Sequence, residues 1–140
     1  MRALRFRVYT SRKQDELMRQ HLRIAKDLWN ELLSFVKFCY KEYDRFPTKR
    51  TLLEMAKNSG LYSQTSQTIA NRVEDAIWRF VKRRKTDQKA GFPRFKPFNR
   101  MKSLSYPQLG FRLIDRRHLK VAPFGLLHLR GYKTLPAGTI

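Results

Sequence analysis

Gly91-Phe92-Pro93-Arg94-Phe95-Lys96 divides this chain. Glycine permits backbone angles closed to other residues, and proline does not let a helix run through, so the hexapeptide predicts a shaped loop. Helical periodicity lies upstream of it and short extended segments lie downstream. Basic residues and rings alternate within it. Lys82-Arg83-Arg84-Lys85 stands before it, and Lys96, Arg100 and Lys102 close it. From Arg79 to Lys102 there are ten Lys/Arg, Lys89 and Arg94 among them, against one acid, Asp87. Such a stretch suits a phosphate backbone and sets rings or guanidinium planes against bases.

Upstream, the spacing predicts a helix from about Ser63 to Arg84. Ile69, Val73, Ala76, Ile77 and Phe80 form its apolar stripe. Gln64, Gln67, Thr68 and Asn71 fall on the opposite side, continued by Trp78 and Lys82. Side-chain amides near a helix start can hydrogen-bond base edges in a groove, and a tryptophan on a polar face points to a partner. A shorter helix carries Leu52, Leu53 and Met55 and stops at Asn58-Ser59-Gly60. Before it, Phe46-Pro47-Thr48 ends a long helix of roughly residues 12–45, opened by a capping box of Ser11 and Gln14. Leu17, Ile24, Ala25, Leu28, Leu32, Val36, Cys39 and Tyr43 share its apolar face, and Asn30 falls opposite. Leu4, Phe6 and Val8 alternate with Arg5, Arg7 and Tyr9, which reads as a strand with a basic face open to phosphate.

Downstream, residues 86–102 read as a basic loop. Extended segments come next at Leu104–Tyr106, Phe111–Ile114, Leu119–Val121 and Leu126–Leu129, with turns at Asp115-Arg116-Arg117 and Pro123-Phe124-Gly125. Strands therefore flank a helical insertion. The expected fold is α+β: a small β-barrel of residues 1–10 and 103–140, a helical lobe of residues 11–85, and the connecting loop. Phe92 and Phe95 can either anchor that loop in the seam between the barrel and the helices or stack on nucleobases. Anchoring is the expectation, because Gly91 and Pro93 fix a sharp path that needs apolar pins, and it leaves Arg94 and Lys96 facing outward to phosphates.

Charge narrows the function classes. The chain of 140 residues has 31 Lys/Arg against 11 acids, a formal net charge of +20. Ten acids precede residue 88, and afterwards only Asp115 stands against eleven Lys/Arg. This balance favours a polyanionic partner. No apolar run approaches 18 residues, so a membrane is not the expected target. Cys39 is the lone cysteine and reads as a small buried hydrophobe; no internal disulfide is possible, which fits a reducing cytoplasm. His21, on a helix edge, His118 and His128 are far apart in sequence, with no metal-ligand spacing, so neither a metal nor another cofactor is expected. Acids clustered as a two-metal nuclease requires are lacking too, so no catalytic residue is assigned.

Several segments, taken in order, resemble the TnpB/OrfB family of transposon-encoded, RNA-guided nucleases, relatives of type V CRISPR effectors. The hexapeptide resembles its signature. Arg5-Phe6-Arg7-Val8-Tyr9 resembles its opening strand, and Ser66-Gln67 with the helix into Phe80 resembles the helix before the signature. Leu104-Ser105-Tyr106-Pro107-Gln108 resembles the short strand after the signature. Leu119-Lys120-Val121, Phe124-Gly125 and Leu135-Pro136-Ala137-Gly138 resemble the family's return to its first, barrel-like domain. The resemblance implies a wedge domain gripping guide RNA and a recognition lobe cradling the guide–target DNA duplex, in a prokaryotic, nucleoid-associated protein. Base pairing would supply most of the specificity. The family's nuclease domain lies beyond the matched region, so cleavage is not carried over and a separate or missing nuclease part is expected. The competing expectation is a guide-independent DNA-binding regulator or transposon-end-binding protein that uses its helices as a helix-turn-helix.

Overall fold

A computed structural model describes residues 6–87, 89–97, 101, 103–107 and 109–129 of the protein. In chain order the elements are strand β1 (Val8–Tyr9), helices α1 (Arg12–Tyr43), α2 (Lys49–Ala56) and α3 (Ser63–Thr86), and strands β2 (Phe111–Asp115), β3 (His118–Val121) and β4 (Gly125–Leu129). The class is α+β, as expected. The chain separates into two compact units, residues 1–20 with 108–140 and residues 21–107. The first turns of α1 thus group with the strands, and the signature loop with residues 103–107 groups with the helices.

In the first unit the four strands form one antiparallel sheet in the order β1-β4-β3-β2. Val8 pairs with Leu129, so the opening strand joins the late ones as its sequence suggests. The barrel is corrected. Among the described residues β1 and β2 are separate edges of an open sheet. A two-residue strand in a four-stranded sheet gives too little width to curl back on itself. Alternation holds in β3 and β4: Val121, Leu127 and Leu129 are buried with Phe124, and their strand neighbours Lys120, Leu126 and His128 are exposed. Both residues of β1, Val8 included, and all of β2 but half-buried Leu113 are exposed instead.

The capping box also belongs to this unit. The Gln14 amide N–H donates to Ser11 Oγ (3.2 Å), and the Ser11 N–H donates to Gln14 Oε1 (3.0 Å). Gln14 Nε2 then donates to the carbonyls of Phe124 (3.0 Å) and Leu126 (2.8 Å). One side chain therefore closes a helix start and holds the β3–β4 turn, where Gly125 has a φ of 84° that glycine tolerates.

In the second unit α1, α2 and α3 enclose a core of Ala25, Leu28, Trp29, Leu32, Val36, Leu52, Ala56, Ile69, Ala70, Val73, Ile77 and Met101. The apolar periods of the sequence meet here. α1 ends where Asp44 turns to a φ of 51° and donates its N–H to the Tyr40 carbonyl (3.0 Å). Thr48 caps α2 by accepting from the Thr51 N–H (3.3 Å). Gly60, at a φ of 89°, turns the chain toward α3.

Four expectations change. The apolar face of α1 is not buried to its end: Cys39 is half-buried, and Tyr43, Phe38 and Tyr40 are exposed. His21 lies in the interior instead of on a helix edge. Leu104–Tyr106 is not a strand. It lies along α3, where buried Thr65 donates its hydroxyl to the Ser105 carbonyl (3.0 Å), Arg72 reaches Ser105 Oγ (2.9 Å), and the Tyr62 and Tyr106 rings are 5.6 Å apart. A helix surface that satisfies the backbone removes the need for a strand partner. The fourth concerns the hexapeptide glycine: Gly91 does not use a positive φ, and a Cβ there would meet nothing within 4 Å.

Among the described residues no helix is long and apolar enough to cross a membrane.

Candidate nucleic-acid interface

The signature loop has no regular secondary structure, so its backbone groups need partners elsewhere. α1 supplies them from two adjacent residues. Trp29 Nε1 donates to the Arg94 carbonyl (3.2 Å). Asn30 Nδ2 donates to the Lys96 carbonyl (2.9 Å), and the Lys96 N–H donates to Asn30 Oδ1 (2.8 Å). These contacts, and not glycine geometry, shape residues 94–96. The sequence puts Asn30 opposite the apolar face of α1 and does not reveal its pairing with Trp29 on the loop. A ring and an amide side by side on a mostly apolar stretch was the only trace of it.

The two phenylalanines divide the work expected of both. Phe92 is half-buried against the core, edge-on to Phe80 with centroids 5.1 Å apart and 6.4 Å from Tyr40. Phe95 is 47% exposed, with Lys37 Nζ 4.6 Å from its centroid. Phe92 is the pin. Phe95 presents a ring at the surface with a cation on it.

Arg94 and Lys96 divide as well. The Arg94 side chain is exposed, as expected. Lys96 is half-buried with Nζ 4.6 Å from the centroid of the Trp29 ring. Burial holds its ammonium below the ordinary lysine value, and the positive charge of Arg72 lowers it further. Arg94, Phe95, Lys96 and Pro97 line a concavity of about 520 Å³. Lys37 extends the cationic surface beside it.

Toward the end of α3, Lys82, Arg83, Arg84 and Lys85 are all exposed or half-exposed. Arg84 stacks 5.7 Å from the Phe80 centroid and caps the Ala90 carbonyl at 3.4 Å; Lys89 is exposed in the turn beyond α3. The ion pairs among the described residues lie elsewhere, for example Arg19–Asp15 and Lys57–Glu54. Among those residues none of Lys82, Arg83, Arg84, Lys85, Arg94 or Lys96 pairs with a carboxylate. Arg84 and Lys96 are held by rings and carbonyls, which leaves their charge uncompensated.

The polar face of α3 is less uniform than its sequence suggests. Gln67 is exposed and Trp78 is 62% exposed. Gln64 is half-buried and engaged. Asn71 is half-buried, and its Oδ1 is enclosed without a donor. In the strand-containing unit Arg7 is exposed. Arg5, Arg100, Lys102 and residues 130–140 lie outside the described residues. No group of three His, Cys, Asp or Glu suited to a metal occurs among the described residues.

Comparison with protein-family models and with curated proteins finds no match to this chain.

Proposed function

We propose that the chain is a nucleic-acid-binding module that grips structured guide RNA and a guide–target duplex, in the manner implied by its resemblance to TnpB/OrfB proteins. One observation carries this reading. The stretch from Lys82 to Lys96 presents cations with no carboxylate partner among the described residues, beside a half-exposed ring at Phe95. Such a surface repels itself until a polyanion neutralises it. Phosphates would take Lys82, Arg83, Arg84, Lys85, Lys89 and Arg94, with Arg7 serving from the other unit. Gln67 and Trp78 are the exposed α3 residues that would meet a duplex groove.

The test is salt dependence. Affinity of the chain for a structured RNA should fall linearly in log–log form, with a slope of about −0.7 to −0.9 per neutralised phosphate. Replacing Lys82, Arg83, Arg84 and Lys85 by Gln should flatten that slope. Salt-insensitive binding would defeat the proposal. Sequencing the RNA that co-purifies with the chain identifies the guide.

A second reading has its own support. α2 and α3 pack together across a six-residue connection, and Gln67 is exposed in the opening turns of α3. A guide-independent regulator would use that pair as a helix-turn-helix. It would prefer one defined DNA duplex over any structured RNA, which the same titrations reveal.

A further inference from the structure

The outward face of the sheet carries its own pattern of rings and charge. Register puts Tyr9, His128 and His118 in one cross-strand row, and Leu126, Lys120 and Arg112 in the next. Side chains directly opposite one another share a face. On β3 and β4, His118, Lys120, Leu126 and His128 alternate with the inward Val121, Leu127 and Leu129. Tyr9 is 50% exposed, and His128, Lys120 and Arg112 are exposed with it.

Two contacts show that the face is built. His118 Nδ1 lies 2.8 Å and 2.9 Å from the Asp115 carboxylate oxygens, which fixes the imidazole plane. Its ring then meets His128 edge-on, with centroids 4.8 Å apart. In the next row Arg112 and Lys120 stand directly opposite each other. Like charges so placed destabilise a sheet unless an anion lies between them. Asp115, the only acid of these strands, is already engaged by His118 and by the Arg117 N–H (2.7 Å). The whole unit holds twelve Lys/Arg against three acids.

We propose that this face is a stacking platform for unpaired RNA, with bases on Tyr9 and His128 and phosphates drawn to Arg112 and Lys120. The inference rests on the reading that the chain binds nucleic acid. It goes further by naming a second surface and a single-stranded ligand for it. Paired bases hide their faces, whereas the loops and bulges of a structured RNA expose them to rings on a sheet. The imidazole nitrogens add groups that can bond a 2′-hydroxyl.

The experiment uses the full chain and fluorescence anisotropy with three probes: octauridylate, octathymidylate and a blunt RNA duplex. Tyr9→Ala and His128→Ala should each weaken octauridylate binding about tenfold, with duplex affinity unchanged. Tyr9→Phe should bind as the parent does. The His118 and His128 imidazole proton resonances of the parent chain should shift when octauridylate is added. Unchanged octauridylate affinity in both Ala variants, with duplex binding intact, would overturn the platform and leave the nucleic-acid reading standing. Failure of all three probes at low salt would overturn both. Octathymidylate binding as tight as octauridylate would overturn the assignment to RNA. Should an Ala variant misfold, the parent's imidazole shifts decide: static resonances count against the platform.

Discussion

Asn30 holds Lys96 from both sides: its amide nitrogen donates to the Lys96 carbonyl at 2.9 Å, and its amide oxygen accepts from the Lys96 N–H at 2.8 Å. A side-chain amide has the donor and acceptor of a peptide unit, so it pairs with a loop as a neighbouring strand would. Asn30→Ala leaves both backbone groups without a protein partner. It should lower stability by about 1–3 kcal/mol, read by thermal or urea unfolding. Asn30→Asp keeps the acceptor and loses the donor, and should fall between Ala and the parent. Equal stability of all three proteins would show that the clamp is incidental.

Phe92 and Phe95 should respond differently to truncation. Phe92→Ala removes a ring packed on Phe80 and should cost about 2–4 kcal/mol, less than a fully buried Phe. Phe95→Ala removes a ring that is 47% exposed, and should cost under about 1 kcal/mol while weakening RNA affinity. A large stability loss at Phe95 would reverse this assignment.

Asn71 and Gln67 separate a buried amide from an exposed one. Asn71 Oδ1 is enclosed without a donor, so Asn71→Leu removes an unsatisfied acceptor and should leave stability unchanged or raised. Gln67→Ala should instead alter discrimination among short duplex motifs by about 1–3 kcal/mol, with RNA affinity retained. Uniform loss across all motifs, measured by competition binding, would remove Gln67 from base reading.

His21 makes stability depend on pH. Burial lowers its pKa from the ordinary histidine value. The unfolded chain titrates near about 6.5 and so binds a proton that the folded chain resists. Stability from this group is intact above that pH and declines as pH falls through it toward the folded value. In His21→Gln that part of the acid decline should disappear from a plot of Tm against pH. An unchanged decline would assign it to other groups.

How much of this was legible depends on the range of each signal. Ser11 with Gln14, Thr48, Gly60 and the stripe from Ile69 to Phe80 act within a few residues, and they sufficed to place the capping box and the helices. That the first strand joins the late ones was legible as well, because strand signals flanked a helical insertion; its pairing with β4 in the register Val8–Leu129 was not. The carbonyl partners of Gln14 lie 110 and 112 residues away, and those of Trp29 and Asn30 lie 65 and 66 residues away. No local pattern encodes such partners. Phe92 and Phe95 are identical as letters and sit three apart; only the position of Phe80 tells the pin from the exposed ring. Lys96 looked like Arg94 until Trp29 came beneath it.

The pairing of Val8 with Leu129 has a consequence for biosynthesis. Residues 21–107 form a contiguous stretch and can begin to pack as soon as they leave the ribosome. The strands cannot, because β1 has its partner only after β4 has been made, and closing so long a loop is entropically costly and slow. The helical unit therefore matures first and the sheet last. A nascent chain would meet its earliest polyanion through Lys82–Lys96, with the ring-bearing face of the sheet assembled only afterwards.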